Sequence, residues 1–298
     1  MTPRLTAGGS FFTAYYFPNA AWARSTSVVI TAARSSCSHV GYATKNAIEK
    51  NKFYIFGAQF NGITGSRNVN DIVGAVTPVD YDSDFEFCST ATQIQVPNGL
   101  GYDTFYYING AYYTDEEGEH EVVGWADEMG NLVGKEPSEL SGEIPQGLAF
   151  WYMSKQTEDV TWTHSGAVDL AKDLKRIDFP ASDFCLRNNP FPKIFSVNDG
   201  SLDNSEIVPV DYDSDFEFCK TATQIQVPNG LGYDTFYYIN GAYYVDEEGE
   251  HEVIGWADEM GNLVGKEPSE LSGNIDTMQG FWVRGVNGAG AITFKLNK

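Results

Sequence analysis

The sequence has few of the residues that mark several common protein classes. Its 298 residues include four cysteines, which are too few for a disulfide scaffold and lack the paired C-x-x-C spacing of a zinc site. No apolar run approaches the roughly 18 residues of a membrane span. Lysine and arginine number 19 against 41 acids, and the net charge of −22 disfavours nucleic acid and anionic lipid as partners. We expect separate thiols at Cys37, Cys88, Cys185 and Cys219.

Motifs of common enzyme classes are also missing. The chain contains no Gly-x-Ser-x-Gly elbow, no His-Glu-x-x-His pair, no P-loop and no dinucleotide fingerprint. We therefore predict a protein without catalytic residues. Because acids are abundant, a glycoside hydrolase with a carboxylate pair is the less favoured alternative.

Aromatic and β-branched residues, in contrast, are plentiful between turn residues. The chain contains 17 Tyr, 19 Phe and 30 Gly, and its Val, Ile and Thr fall in short runs, a composition typical of strands. With 42% apolar residues it can bury a substantial core. The predicted fold class is all-β.

One unit of sequence occurs twice. Residues 78–142 and 209–273 align without a gap at an offset of 131 and differ at only three of 65 positions. The register continues outward in weaker form, because residues 53–77 agree with 184–208 at three of 25 positions. The repeat predicts two homologous β-sandwich-like domains in tandem with a period of 131 residues.

The repeat also predicts the domain boundaries. Repeat domain 1 is expected at residues 45–170 and repeat domain 2 at 171–298. The linker candidate is 169–183, which could hold a short helix before Pro180. Residues 1–44 are expected to form a tail hairpin of a partial repeat that packs on repeat domain 1.

A tryptophan marks each tail of the repeat. Trp22, Trp151 and Trp282 each precede a short turn and a β run, and we expect all three rings to be core anchors. A sugar-stacking role for all three is the alternative. A signal peptide ending at Ala23 is an alternative for the N-terminus, but its cleavage site would fall within the predicted tail hairpin.

We call the near-identical units 78–142 and 209–273 bodies, and the three segments that begin at Trp22, Trp151 and Trp282 tails. The presence of three tails for two bodies suggests head-to-tail assembly of the chain. A repeated contact that does not close on itself generates a filament, and the C-terminal strand of one molecule can extend an open sheet edge of the next. A monomer in which the extra tail packs on the first body is the alternative. The residues predicted to serve the assembly are Trp22, Phe281, Trp282, Ile292 and Phe294.

The stretch DYDSDFEFC begins at Asp80 and again at Asp211. It is not an EF-hand loop, because the required turn glycine is missing. Its alternation predicts a strand with acids on one face and aromatic rings on the other, so that the acidic face is either a solvated edge or a calcium site. His120 and His251 are solvated loop residues or metal ligands. The candidate calcium ligands are Asp80, Asp82, Asp84, Asp211, Asp213 and Asp215, and no other cofactor is predicted.

The dipeptide Asn109-Gly110 predicts a two-residue β-hairpin between aromatic strands, because a type I′ turn needs positive φ at both central residues. Such a turn places Tyr107 opposite Tyr112 on one face and Tyr106 opposite Tyr113 on the other. An exposed pair would be a platform for stacking a ligand. The candidate stacking residues are Tyr106, Tyr113, Tyr237 and Tyr244.

Several stretches resemble a known kind of repeat. The order FCLRNNPFPKIF, a Tyr-rich segment, GWADEMGN, QGFWVRG and AITF is similar to an all-β repeat of large secreted or cell-surface proteins of bacteria of the Verrucomicrobia, Lentisphaerae and Bacteroidetes kind. The resemblance implies an extracytoplasmic β-rich module and carries no established catalytic residues.

These observations lead to two functional hypotheses. The first is a non-catalytic structural or adhesive repeat protein, extracellular or on a cell surface, whose partner is itself or a surface glycan. The second is a calcium-assisted glycan-binding module that uses the tyrosines and the acidic face.

Overall fold

The computed structural model describes residues 12–15, 28–32, 39–62, 65–73, 76–156, 160–168 and 173–296. Strands dominate these residues, and each of the three helices among them has only four residues, so the all-β prediction is confirmed. None of these helices has the length or apolar character needed to cross a membrane.

The described residues of the first half of the chain form two sheets. Their strands and helices are β1 (Phe12–Tyr15), β2 (Val28–Ala32), β3 (His39–Ile48), β4 (Phe53–Gly57), α1 (Val69–Ile72), β5 (Val79–Asp80), α2 (Phe87–Thr90), β6 (Gln93–Pro97), β7 (Tyr102–Asp115), β8 (Gly118–Ala126), β9 (Ala149–Met153) and β10 (Val160–Val168). One sheet has the order β4-β9-β6-β7-β5, with β8 also paired to β7. The other has the order β1-β2-β3-β10. We refer to the part from β3 to β10 as repeat 1.

The second half, repeat 2, builds the same large sheet. Its elements are β11 (Leu174–Phe179), β12 (Phe184–Asn188), β13 (Phe195–Ser196), β14 (Leu202–Asp203), β15 (Val210–Asp211), α3 (Phe218–Thr221), β16 (Gln224–Pro228), β17 (Tyr233–Asp246), β18 (Gly249–Ala257), β19 (Asn274–Ile275), β20 (Gly280–Arg284) and β21 (Gly290–Lys295). The order β12-β20-β16-β17-β15, with β18 paired to β17, is that of the large sheet in repeat 1. The smaller sheet has the order β11-β21-β14.

Each repeat buries its core between its large and its small sheet, which is a sandwich-like arrangement. Core 1 takes Phe105 and Phe150 from the large sheet and Trp162 from β10. Core 2 takes Phe236 from the large sheet and Phe294 from β21. Alternation along the strands explains this, because every second side chain of a strand faces the opposing sheet.

The tryptophan prediction was wrong for the two described tails. Trp151 and Trp282 are only half-buried, because they point away from the two cores. Among the tryptophans that the structure describes, the fully buried ones are Trp125, Trp162 and Trp256. Trp22 lies outside the described residues.

The predicted linker helix was also wrong. Residues 174–179 form β11, which pairs along its whole length with β21 and contributes Ile177 and Phe179 to core 2. The alternating pattern of Leu174–Phe179 is therefore that of a strand with one buried face. Before it, the predicted boundary between 44 and 45 falls inside β3, which pairs with both β2 and β10. The domain boundaries stay a prediction.

Asn109-Gly110 does not form a hairpin turn. Strand β7 runs through it from Tyr102 to Asp115, and the register shifts between Asn109 and Ala111 as in a β-bulge. Gly110 has a φ of 92°, which glycine adopts readily and which such a bulge requires. Asn109 and Ala111 both pair with residues of β8, and this pairing keeps β7 extended across the dipeptide.

The two repeats meet at a junction with reciprocal contacts. The N–H of Gly57 donates to the carbonyl of Met278 at 3.0 Å, and the N–H of Asn188 donates to the carbonyl of Gly147 at 2.9 Å. Gly57 and Asn188 are equivalent at the offset of 131, as are Gly147 and Met278. When residue i of one copy contacts j of the other and j contacts i, the contact has the form of a two-fold interface.

Candidate functional site

The acidic stretch at Asp80 folds into a loop and a helical turn, so the strand prediction was wrong beyond its first residue. The carboxylate of Asp82 accepts the N–H of Glu86 at 2.7 Å and the N–H of Phe87 at 2.8 Å. These bonds satisfy backbone donors at the start of α2 and favour a turn over an extended chain. Phe87, the first residue of α2, is completely buried.

The other acids of the stretch do not converge with Asp82. Asp80 accepts a hydrogen bond from the Asn109 side chain at 2.8 Å, and Asp84 is exposed. In repeat 2, Asp213 accepts the equivalent two N–H groups at 2.8 and 2.9 Å. The described part of the chain holds no cluster of three or more His, Cys, Asp or Glu residues that could bind a metal ion. The single acidic face assumed for the calcium site is thus not formed, and calcium binding stays a prediction.

The remaining predicted ligands in repeat 2 follow the same pattern. Asp211 accepts a hydrogen bond from the Asn240 side chain at 2.8 Å, and Asp215 is exposed.

The loop instead displays two aromatic rings. Tyr81 and Phe85 are each 40% exposed, and both rings contact the buried Phe87, with centroids 5.6 and 6.4 Å away. Met129, on the neighbouring turn, is 57% exposed, while the next residue, Gly130, leaves no room for a Cβ beside the Tyr81 ring. We call Tyr81, Phe85 and Met129 the Tyr81 patch.

Backbone strain accompanies this display. Phe85 has a φ of 59°, in the left-handed region that bulky side chains rarely adopt. Such a conformation costs about 1–3 kcal/mol and persists only where its surroundings enforce it. Here the Phe85 N–H donates to the Asp82 carbonyl, and the Phe85 carbonyl accepts the N–H of Cys88. The strained residue carries its ring into solvent.

Repeat 2 presents the same patch. Phe216 also has a φ of 59°, and its ring lies 6.4 Å from that of Phe218. Tyr212 and Phe216 are 42% and 39% exposed, and Met260 is 58% exposed. We call these three residues the Tyr212 patch. The chain therefore carries two copies of one rigid aromatic display.

The predicted stacking residue Tyr106 is held inside its own repeat. Its ring makes an edge contact with Phe87 at 5.7 Å, and burial together with the neighbouring Cys88 thiol raises the pKa of Tyr106 to about 12. Burial also raises the pKa of Cys88, which keeps that half-buried thiol protonated at neutral pH. Tyr237 and Cys219 repeat the arrangement in repeat 2.

Tyr113 stacks on a different partner from the one predicted. Its ring lies parallel to that of His120 at 4.8 Å, and Lys135 lies over it at 5.8 Å. His120 Nε2 is 2.9 Å from Asp115, and hydrogen bonds from the Glu117 N–H and from His120 lower the pKa of Asp115. Because β7 is continuous, Tyr106 and Tyr113 do not face each other, and the pairing prediction was wrong.

The same contacts recur in repeat 2. Tyr244 stacks on His251 at 4.8 Å, and Lys266 lies over the Tyr244 ring at 5.9 Å. The predicted ligand-stacking tyrosines of both repeats thus have partners within the chain.

The predicted assembly residues are mostly part of core 2. Phe281, Ile292 and Phe294 are at most 1% exposed, and β21 pairs with β11 on one edge and β14 on the other. Donating β21 to a second molecule would remove Ile292 and Phe294 from core 2. Trp282 is half-buried and contacts Trp151 instead.

Sequence reasoning missed the Tyr81 and Tyr212 patches, although a signal for the turn exists. Ser83-Asp84-Phe85-Glu86 has the Ser-x-x-Glu spacing of a helix start. The period-two alternation of aromatic rings was the more conspicuous pattern and favoured a strand. No local pattern predicts a positive φ at a phenylalanine.

Comparison with known proteins yields little. No protein-family model and no curated protein matches the chain. Among solved structures, the chain is similar to a cupin 2 conserved barrel domain protein from Leptotrichia buccalis, with 9% identity over 94% of this chain and 92% of that one. The TM-score of 0.15 is too low to support any inference about fold or function.

Proposed function

We propose that this chain is a non-catalytic adhesive repeat protein, extracellular or on a cell surface, that binds its target with the Tyr81 and Tyr212 patches. The observation that carries the proposal is the strained phenylalanine of each patch, Phe85 and Phe216, whose ring is exposed. Strain of this kind is characteristic of ligand-contacting sites. Exposed aromatic anchors held in one conformation lose little entropy on binding.

Duplication of the patch supports this proposal. Both patches lie within the block 78–142 and 209–273, which differs at only three of 65 positions, so the chain presents the same three exposed side chains twice. Two equal binding surfaces on one chain raise avidity for a target that carries several binding sites.

Adhesion through the patches agrees better with the geometry than filament formation by strand donation. The C-terminal strand β21 is paired on both edges, and its apolar residues are buried in core 2. The patches, in contrast, are exposed without any rearrangement. The secreted or cell-surface location rests on the resemblance to bacterial surface repeats.

Bead adhesion tests the proposal. Latex beads coated with the full chain are allowed to settle on surfaces coated with the proteins collagen, fibrinogen or fibronectin, and bound beads are counted under flow, in calcium and in EDTA. We expect adhesion to at least one surface. Phe85→Ala alone should weaken it by roughly tenfold to a hundredfold through lost avidity, and Phe85→Ala with Phe216→Ala should abolish it.

The matched control is Leu100→Ala with Leu231→Ala, which removes two fully exposed apolar side chains outside the patches. It should adhere like the parent. Adhesion by the double phenylalanine variant at the parental level, or no adhesion of the parent to any surface, would overturn the proposal. Loss of adhesion in EDTA alone would assign a role to calcium.

A further inference from the structure

A second group of aromatic rings lies at the junction of the repeats, away from both patches. The Phe53 and Trp151 rings are 6.0 Å apart, the Trp151 and Trp282 rings 6.2 Å, and the Trp282 and Phe184 rings 6.5 Å. Phe53 is equivalent to Phe184, and Trp151 to Trp282, at the offset of 131. We call these four residues the aromatic row.

The aromatic row is accessible along its length. Phe53 and Phe184, at its ends, are 43% and 40% exposed, and the two tryptophans are half-buried. Below the tryptophans lie the buried Ile55, Ala149 and Leu186, which form a small apolar cluster between the repeats. This cluster holds the rings in place from one side and leaves the other side to solvent.

Amide and hydroxyl side chains flank the row on both sides. In repeat 1, Gln95 is the cross-strand partner of Trp151 and also of Thr104. In repeat 2, Gln226 has the same relation to Trp282 and to Thr235. Cross-strand partners share one face of a sheet, so each glutamine lies beside a tryptophan. Both glutamines are half-buried, and no hydrogen bond to their side chains is formed among the described residues.

We propose that the aromatic row and its two glutamines form a binding site for a polysaccharide chain. The C–H faces of a sugar ring pack against aromatic rings, and its hydroxyl groups can bond to the amides of Gln95 and Gln226. A lipid or purely apolar partner would bury these amides without hydrogen bonds, which is costly. Each half presents the same aromatic and amide groups, in inverted order as the two-fold contact requires, so that like units of one polysaccharide chain can contact both halves.

The site differs between its halves in one respect. The guanidinium of Arg284 lies 5.5 Å from the Phe184 ring, whereas Met153 occupies the equivalent position beside Phe53. The cation favours a neutral or weakly anionic sugar chain over a cationic one. Because Trp151 and Trp282 come from different repeats, the site is complete only in the full chain.

Affinity electrophoresis of the full chain tests this proposal. Gels would contain soluble β-glucan, xylan, mannan or pectin, and retardation gives the dissociation constant. We expect at least one polysaccharide to retard the protein. Trp151→Ala and Trp282→Ala should each weaken binding roughly tenfold or more, because central aromatic rings dominate such sites. Gln95→Ala with Gln226→Ala should weaken it severalfold.

The tryptophan substitutions can disturb the junction between the repeats. The glutamine variant tests the site without this effect, because Gln95 and Gln226 have no packing role in either core. The double variant Phe85→Ala and Phe216→Ala is the matched control and should bind polysaccharide like the parent, so that the aromatic row and the patches are tested separately. Binding of no polysaccharide, or parental binding by the glutamine variant and by either folded tryptophan variant, would overturn the proposal.

Discussion

At the scale of single residues, the aspartates of the acidic stretch differ in the hydrogen bonds that they accept. Asp82 and Asp213 use both carboxylate oxygens on backbone N–H groups, and charge-assisted bonds of this kind are stronger than neutral ones. Asp80 and Asp211 each take one amide hydrogen bond from the neighbouring strand. The acids that look alike in sequence therefore have different roles, and part of the negative charge is structural.

His164 is a completely buried titratable residue. Its Nε2 accepts the N–H of Phe60 at 2.9 Å, its Nδ1 bonds to the carbonyl of Ile72, and burial lowers its pKa to about 4. Below the ordinary histidine pKa of about 6.5, His164 becomes protonated in the unfolded chain but stays neutral in the folded chain. His164 thus contributes stability that is complete above about pH 6.5 and is lost as the pH falls toward 4.

We predict that this residue alone steepens the acid side of the stability curve by about 1.4 kcal/mol per pH unit between pH 6 and 4.5. Urea unfolding of the parent and of His164→Gln at pH 7.5, 6.0 and 5.0 measures it. The variant should be less stable at pH 7.5 but should lose less stability on acidification. Equal slopes for the two proteins would contradict the assignment.

At the scale of elements, the bulge in β7 links the acidic stretch to the long β7–β8 pair. Gly110 is in the left-handed region, and a Cβ placed there would lie 3.2 Å from the Cβ of Tyr81. The bulge thus leaves room for Tyr81 beside the strand. The local dipeptide encodes the positive φ, and pairing with β8 decides that this φ becomes a bulge rather than a turn.

Gly110→Ala should therefore destabilise the protein by about 1–3 kcal/mol, through both φ strain and crowding against Tyr81. Gly101→Ala is the matched control, because a Cβ at that glycine meets no atom within 4 Å and its φ is not in the left-handed region. Urea midpoints of the two variants provide the comparison. A Gly110→Ala variant as stable as Gly101→Ala would show that the bulge does not need glycine.

At the scale of the whole molecule, the two repeats pack against each other at the junction. The equivalent positions that meet there carry different residues in the two repeats. A Cβ at Gly57 would lie 2.1 Å from the Cβ of its counterpart Asn188. Met278 reaches into core 1, whereas its counterpart Gly147 lies beside Ile177 of repeat 2. Such complementary differences favour pairing of repeat 1 with repeat 2 over pairing of like repeats.

We predict that Gly57→Ala destabilises the chain by about 1–3 kcal/mol, as overpacking of a close contact does. Adding Asn188→Gly should recover part of this loss, because it removes the atoms that the new Cβ meets. A double-mutant cycle from urea unfolding measures the coupling, which should exceed about 0.5 kcal/mol. Strict additivity of the two substitutions would mean that the repeats do not touch there.

The sequence predicted the structure correctly wherever a residue pattern is compatible with only one kind of structure. The all-β class follows from short aromatic and β-branched runs, and the equal sheet order of the two repeats agrees with the identity of 78–142 and 209–273. The Tyr81 patch and the aromatic row were not predictable in this way.

By itself, then, the sequence determined the class of the fold and the doubling of its central unit, because strand periodicity and near-identity are local properties. Tertiary structure decided the rest. Asn109-Gly110 became a bulge because β8 pairs across it, and Asp82 became a cap because Phe87 is buried below it. Trp151 and Trp282 became neighbours because the two repeats meet there, a contact between residues 131 positions apart that no local pattern encodes.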